Sequence, residues 1–510
     1  MSSKMLKTLL LVGLALVVTL SAGVSFAYTY KTKAAIPEYL GSQACLGCHT
    51  DKWASWEPSG HAQMLVAINS PSDLPAPVSA APAELQAELL KAEFIITQKS
   101  FAARDASGQL KYLGVTWDPV LQIYKAAAPG RNYSTECAGC HTTNGASDKV
   151  STTWTEPGIG CEACHGPGRD HVVGKGDKSK IVVNNSADTC GQCHGGNSKK
   201  TNANMMIDGT RWVVGYRPGM KLSDVVGLQL TPVDPTKPAP DSSSVHLRNY
   251  NMWAASAHGN SMKAVLAYSP NGKPNPECLK CHSADVVVAA AKGKTADISH
   301  PETLEPLTCT ACHDPHGGQD HQLRLEPEKL CVSCHANEAV APGKPAKAGS
   351  SVYESNEAAL KGYGAIGIKE TESFHSEFTC VECHMTQGNH LFKVIRPDAP
   401  ELEATRADTC TTCHKDSTKD VRAAYLQQWQ GMFDAKMPAL QADLKLIGDA
   451  LKADPKVLSA DLKAKYDVSK TNLSIINNDG SHGAHNFEYA MKIMGQAQKD
   501  LAAVKASLPK

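Results

Sequence analysis

The amino-acid sequence predicts a mainly α-helical fold with little β structure, many loops and a C-terminal segment of long helices. All 18 cysteines fall in nine CxxCH strings, and a string of this form usually ends a short helix. Apolar residues after Val421 recur at steps of three and four, which is typical of helices that bury one face. Aromatic residues make up only 6% of the chain, so the core needs bulk from another source.

The CxxCH strings supply that bulk, because they predict covalently bound c-type haems. The two thiols add across the vinyl groups of one haem, and the histidine that follows binds the iron as its proximal ligand. Nine strings therefore predict nine haems and a haem-filled core. The strings are Cys45, Cys48 and His49; Cys137, Cys140 and His141; Cys161, Cys164 and His165; Cys190, Cys193 and His194; Cys278, Cys281 and His282; Cys309, Cys312 and His313; Cys331, Cys334 and His335; Cys380, Cys383 and His384; and Cys410, Cys413 and His414.

Other uses of these cysteines do not fit the pattern. CxxC also occurs in zinc sites and in redox-active disulfides, but neither requires a histidine after every pair. A disulfide framework would have irregular spacings, and no cysteine remains outside the nine strings.

Residues 1–27 predict an export signal. Lys4 and Lys7 precede an apolar run, and Ser25 and Ala27 form a small-residue cleavage site. The alternative is an uncleaved membrane anchor, since the apolar run is long enough to span a bilayer. We expect a protein that works in the periplasm or at the cell surface, in keeping with haem attachment outside the cytoplasm.

The charge balance excludes one class of partner. The chain has 51 basic and 51 acidic residues and no basic block, so we expect no nucleic-acid binding. Two propionates on each haem would make the mature protein more acidic than the chain alone.

The strings divide the chain into regions. We expect four haems in residues 28–200, a haem-free linker region over 201–245, five haems in 246–420 and helices over 421–510. Residues 50–136 carry no string, but the run from Phe94 to Thr97 and the turn near Gly108 predict a small β element. The proline-rich stretch 231–240 predicts a loop. The pattern W-x-x-S-x-H occurs at 56–61 and again at 253–258, which indicates an old duplication.

Eleven further histidines are available as second axial ligands. We expect surface residues among His300, His321 and His482. Two histidines on one iron keep it low-spin, block substrate and suit electron transfer. The predicted distal ligands are His61, His171, His246, His258, His316, His375, His390 and His485.

The C-terminal segment predicts two helices joined by a turn at 477–480. We expect both apolar faces to pack as ordinary helix cores and not to contact cofactors. The first face comprises Tyr425, Leu426, Trp429, Met432, Phe433, Met437 and Leu440, and the second comprises Phe487, Met491, Met494 and Leu501.

Four strings resemble those of bacterial respiratory multihaem cytochromes: GIGCEACHGPGRDH ending at His171, CTACHDPHG from Cys309, CVECHMTQGNHLF from Cys380 and GAHNFEYA from Gly483. Similar proteins are the tetrahaem carriers of ammonia oxidisers, the pentahaem nitrite reductases and the octahaem hydroxylamine oxidoreductases. The resemblance implies stacked haems wrapped by loops and helices. It also implies long closing helices like those through which nitrite reductases dimerise, hence a homo-oligomer.

The sequence departs from the enzymes of that group. It has no CxxCK string, which nitrite reductases use at their catalytic haem, and nothing selects Tyr425 or Tyr489 as a tyrosine crosslinked to haem.

Three functions remain open at this point. The first is an electron conduit in exported, anaerobic-type respiration, with partners such as a membrane quinol-oxidising complex or a terminal reductase. The second is an oxidoreductase acting on nitrite, hydroxylamine or a similar small oxyanion at one open haem. The third is a scaffold that docks another protein through its C-terminal helices.

Overall fold

The computed structural model describes residues 38–147, 152–195, 216–225, 230–239, 248–400, 402 and 406–509. The predicted export signal and His246 lie outside these residues. No helix in this described part of the chain is both long and apolar enough to cross a membrane.

A five-stranded antiparallel sheet occupies the string-free region after the first CxxCH string. Its strands follow chain order: β1 Leu65–Ala67, β2 Phe94–Ile96, β3 Ser100–Arg104, β4 Leu110–Asp118 and β5 Ile123–Ala126. Phe101, Leu110 and Val115 are fully buried, and the helix Ala83–Leu89 packs on the sheet through Leu85 and Leu89. The predicted β element is therefore confirmed and is larger than the sequence indicates.

Two short strand pairs lie between the second and third strings. Thr142–Thr143 pairs with Glu156–Pro157, and Ala146–Ser147 pairs with Thr152–Thr153.

Short helices form most of the haem-string region. The α-helices are Gln43–Leu46, Thr50–Trp56, Tyr133–Glu136, Ala138–His141, Cys161–His165, Arg169–Val173, Asp188–His194, Asn249–Ala255, Ser261–Tyr268, Pro276–His282, Ala284–Ala291, Cys309–Cys312, Pro327–His335, Asn356–Lys361 and Cys380–His384. The 3₁₀ turns are Ala62–Met64, Pro71–Asp73, Val78–Ala80, Lys178–Lys180, Leu222–Asp224, Pro270–Gly272, Pro301–Thr303, Asp320–Gln322, Thr386–Gly388 and Thr409–Thr412. The prediction of a mainly helical chain with many loops agrees with this arrangement.

Three long helices close the chain: Lys419–Ala453, Ala460–Asn478 and Phe487–Ala506. We call them the first, middle and last long helix. Thr418, Ser459 and Asn486 cap their N-termini with side-chain oxygens, which satisfies backbone N–H groups that have no partner inside the helix.

The C-terminal prediction needs one correction, because there are three long helices where two were expected. The middle helix buries Ser469, Thr471 and Asn472 beside its apolar residues, so the three- and four-residue apolar pattern is broken. Asn477 and Asn478 end this helix, and the turn therefore begins only at Asp479.

Candidate haem-binding sites

The CxxCH strings, numbered 1 to 9 in chain order, lie on or beside short helical turns. Residues three or four apart share one face of a helix, so each turn presents both cysteines and the histidine to the same side. Asn275 caps the helix of string 5, Asp408 caps the turn of string 9, and Thr379 and Glu382 form a capping box at string 8. All 18 cysteines are described and none forms a disulfide.

Seven of the nine string histidines face a second histidine across a gap of nearly constant width. An imidazole nitrogen binds a metal at about 2 Å, so two rings on opposite sides of one iron have centres about 6 Å apart. The seven observed separations fit one iron each. They are 6.3 Å for His49 and His171, 6.4 Å for His61 and His194, 5.9 Å for His165 and His316, 6.1 Å for His258 and His335, 6.4 Å for His313 and His390, 6.2 Å for His375 and His414, and 6.1 Å for His384 and His485.

Each facing histidine comes from a different part of the chain. His171, which follows string 3, faces His49 of string 1. His390, which follows string 8, faces His313 of string 6. A haem held between such a pair would therefore tie together two segments that the backbone leaves apart.

Strings 2 and 5 have different described surroundings. The ring of Tyr133 packs against His141 at 5.9 Å, and Nδ1 of His282 lies 3.3 Å from the carbonyl oxygen of Ser261. The expected distal ligand His246 lies outside the described residues. The other spare histidines lie on the surface: the exposed fractions of the His300, His321 and His482 side chains are 75%, 84% and 53%.

Backbone carbonyls orient several of the facing rings. Nδ1 of His165 lies 2.6 Å from the Val182 oxygen, and Nδ1 of His384 lies 3.0 Å from the Phe392 oxygen. A ring that donates its Nδ1–H in this way presents Nε2 to a metal. Burial lowers the pKa of His165 and His384, and lowers that of His258 to about 4. These rings therefore stay neutral at pH 7, as metal ligands must.

One connected cavity of about 3620 Å³ runs through seven of the strings, numbers 2, 3, 4, 6, 7, 8 and 9. Three apolar residues of the first long helix, Tyr425, Leu426 and Trp429, line it as well. Trp429 also packs on Phe487 of the last long helix, as expected, with ring centres 6.1 Å apart. The expectation of ordinary helix packing is wrong for Tyr425 and Met432, whose side chains are exposed. Phe433, Met437 and Leu440 pack in the helical core as expected.

The cysteines also show which strings are neighbours. Cysteine side chains of different strings lie next to each other in five pairs: Cys45 and Cys161, Cys140 and Cys193, Cys190 and Cys309, Cys281 and Cys334, and Cys331 and Cys380. Three further pairs lie near each other: Cys164 and Cys190, Cys312 and Cys334, and Cys383 and Cys413. Strings 1, 3, 4, 6, 7, 8 and 9 thus form one continuous series, with string 2 beside string 4 and string 5 beside string 7.

The two W-x-x-S-x-H patterns make equivalent contacts. Nε1 of Trp56 donates to the Ile159 oxygen at 2.9 Å, and Nε1 of Trp253 donates to the Leu307 oxygen at 2.7 Å. Each acceptor lies two residues before the first cysteine of a string, string 3 or string 6. Each pattern also ends in the histidine that faces the next string, His61 for string 4 and His258 for string 7.

Sequence reasoning missed Asp479, which lies 2.5 Å from Nδ1 of His485, and Asn356, which lies 3.3 Å from Nδ1 of His335. An acidic residue six positions before a candidate ligand is too common a feature to identify such a contact.

Comparisons with known proteins agree with the haem strings. The family described as doubled CXXCH motif matches residues 302–340, and the family described as cytochrome c554 and c-prime matches 120–166 and 242–314. The multiheme cytochrome MtrA of Shewanella baltica (strain OS185) is 23% identical over 188 residues, which is 35% of this chain and 43% of that protein. The chain thus spans less than half of that relative's length.

Two solved structures share the fold. The outer cell wall cytochrome OcwA is 24% identical with a TM-score of 0.74, and the alignment covers 91% of this chain and all of OcwA. The undecaheme cytochrome from the S-layer of Carboxydothermus ferrireducens is 22% identical with a TM-score of 0.61 over 95% of this chain and 71% of that one.

Proposed function

Because this chain is a multihaem c-type cytochrome, we propose that it holds nine haems and conducts electrons along them. The 18 string cysteines would hold the haems as thioethers, and the nine string histidines would be the proximal ligands. Haem supplies an iron that takes up and releases one electron. The chain's own residues would supply two histidines to at least seven of the irons, and its neighbouring string cysteines would bring haem edges together.

The facing histidines carry this proposal. Seven pairs, all with ring centres 5.9 to 6.4 Å apart, match the spacing that an iron between two imidazoles requires. A bis-histidine iron has no site for substrate and has a lower reduction potential than one with a methionine ligand. The seven distal ligands are His61, His171, His258, His316, His375, His390 and His485, and His246 is proposed as an eighth.

The contacts between string cysteines support a route. A thioether attaches the edge of a haem to its cysteine, so contacting cysteines bring two haem edges together. The proposed route runs through haems 1, 3, 4, 6, 7, 8 and 9, and haems 2 and 5 branch from haems 4 and 7.

We place this conduit outside the cytoplasm, in the periplasm or at the cell surface. The N-terminal export pattern supports this, as do the structural relatives from an outer cell wall and an S-layer. Its partners would then be other redox proteins, and the long helices would form a contact between copies.

A second candidate function is the reduction of nitrite, hydroxylamine or a similar oxyanion. Strings 2 and 5 together have one remaining strong candidate for a distal ligand, His246, since the described His300, His321 and His482 side chains lie on the surface. An iron with an exchangeable sixth position would favour this function.

Assays on the purified holoprotein distinguish the two functions. A conduit is reduced reversibly by a low-potential dye and shows no sustained consumption of nitrite or hydroxylamine. Continued oxidation of the dye in the presence of either compound would contradict the conduit and establish the enzyme.

Removal of haem 7 tests the route. Cys331→Ala with Cys334→Ala removes a haem on the main route, whereas Cys137→Ala with Cys140→Ala removes a branch haem and serves as the control. We expect the first variant to slow electron redistribution between the remaining haems after flash reduction, and the control to keep the wild-type rate. Equal rates in both variants would contradict the route.

A further inference from the structure

Asp479 is a buried carboxylate that orients a facing histidine. Its Oδ1 lies 2.5 Å from Nδ1 of His485, whose ring faces His384 of string 8. The side chain of Asp479 is only 3% exposed. In the described ion pairs Asp479 contacts His485 and neither lysine nor arginine, so no strong cation neutralises its charge.

Several contacts hold the carboxylate in place. The Ser481 hydroxyl donates to Asp479 Oδ2, and the Asn356 side-chain amide donates to the Asp479 carbonyl oxygen at 2.8 Å. The oxygen of the same Asn356 side chain accepts from Nδ1 of His335 at 3.3 Å. The proximal histidine of string 7 and the facing histidine of string 8 thus share one hydrogen-bond network.

Other facing histidines have weaker acceptors. His171 and His390 donate to neutral carbonyl oxygens, those of Asp177 and Gly388, each at 2.9 Å. A carboxylate also lies near His316, but Asp314 Oδ1 is 3.4 Å away, the pair is one-third exposed, and Arg324 shares the carboxylate. Asp479 is therefore a stronger acceptor than the described partners of His171, His390 and His316.

We propose that Asp479 lowers the reduction potential of haem 8 below those of haems 1, 3, 6, 7 and 9. A short charge-assisted hydrogen bond draws the Nδ1 proton toward the carboxylate and makes Nε2 of His485 a stronger donor to iron. A stronger donor favours the ferric state, and hydrogen bonding beyond the ligand is an established control of haem potential. One-electron reduction at this position breaks no bond, and the proton stays between Asp479 and His485.

This inference rests on the proposed function, since His485 must be the distal ligand of haem 8. Haem 8 would lie between haems 7 and 9 on the route. A low-potential haem there would be harder to reduce than its neighbours, so electrons would reside on haems 7 and 9 in preference to haem 8.

The substitution Asp479→Asn in the full-length holoprotein tests the inference. Asparagine keeps the shape and one acceptor oxygen but removes the charge. We expect one midpoint in a potentiometric titration, among the two lowest of the seven, to rise by about 59 mV, which is a tenfold increase in the equilibrium constant for one-electron reduction. The EPR signal of one low-spin iron should shift with it. Unchanged midpoints in a folded variant would overturn the inference.

Asp434→Asn is the matched control. Asp434 lies 2.6 Å from Nδ1 of His482, so the pair has the same chemistry, but both side chains are more than half exposed and His482 faces no string histidine among the described residues. We expect all midpoints to stay at their wild-type values in this variant.

His485→Met separates this inference from the proposed function. A methionine ligand raises the potential of its iron, so the midpoint that moves belongs to haem 8. If that midpoint is among the two lowest of the seven in the wild type, the inference holds even where Asp479→Asn does not fold. If it is not among the two lowest, the inference fails while the ligand assignment stands. If no iron changes its ligation, the assignment of His485 under the proposed function is wrong, and the inference fails with it.

Discussion

Asp408 joins string 9 to the first long helix through a buried carboxylate. It accepts from the backbone N–H groups of Cys410 and Thr411 and pairs with the Arg422 guanidinium at 2.6 Å. Its side chain is 1% exposed and that of Arg422 is 10% exposed. Burial alone would raise the pKa of Asp408, but the hydrogen bonds and charge of Arg422 outweigh burial and lower it.

Asp408→Ala should destabilise the holoprotein by about 3 kcal/mol at pH 7, because it leaves a buried guanidinium without its counter-ion. A lowered pKa contributes stability above the ordinary carboxyl pKa of about 4, and this contribution is lost as the pH falls through the folded-state value. Denaturant unfolding at pH 7 and pH 3 should therefore show a difference between wild type and variant that shrinks at pH 3.

An exposed pair provides the control for Asp408. Asp449 lies 2.6 Å from Lys445, and both side chains are at least half exposed. Asp449→Ala should change stability little at either pH, as exposed ion pairs usually do. An effect as large as that of Asp408→Ala would show that burial is not the cause.

Residue types were predictable from the sequence, and their partners were not. The CxxCH spacing names the cysteines and proximal histidines, since the chemistry requires residues in consecutive positions. The facing pairs join residues far apart, such as His49 with His171 and His375 with His414. No local pattern contains that information, because the tertiary fold brings the rings together.

At the level of secondary structure, the two W-x-x-S-x-H elements are the clearest repeated unit. In both, a tryptophan ring fixes the backbone ahead of one string while the histidine reaches another string. The same contacts in two places support the duplication that the sequence indicates.

Trp56→Phe and Trp253→Phe should each remove one hydrogen bond and leave the Ile159 or Leu307 oxygen without that donor. We expect each to lower the free energy of unfolding by about 1 kcal/mol. Denaturant unfolding of the holoprotein checks both. A loss in one variant only would contradict the equivalence of the two elements.

A helix was predictable from the sequence where its buried residues are apolar and its exposed residues are polar. The last long helix buries Met494 and Leu501, and the sequence shows its apolar face. The middle long helix buries Thr471 and Asn472, whose side chains bond to carbonyl oxygens of Ser350 and Ile366. Because these buried residues are polar and hydrogen-bonded, the sequence of this helix shows no regular apolar repeat, and the helix was not predicted.

At the scale of the whole molecule, we infer that haems take the place of a conventional core around the strings. The described hydrophobic clusters are confined to the sheet, the long helices and small groups near the strings. The large cavity lies where the strings converge. We infer that the string region depends on its haems for order, whereas the long helices have a core of their own.

The most direct test of the proposed haem ligation is low-temperature EPR of the oxidised holoprotein with a pyridine haemochrome count. We expect nine haems per chain and at least seven low-spin irons, one for each facing histidine pair. The spin state of the other two decides between the conduit and the oxyanion reductase. Fewer than nine haems, or more than two high-spin irons, would contradict the histidine pairs as ligands and with them the proposed conduit.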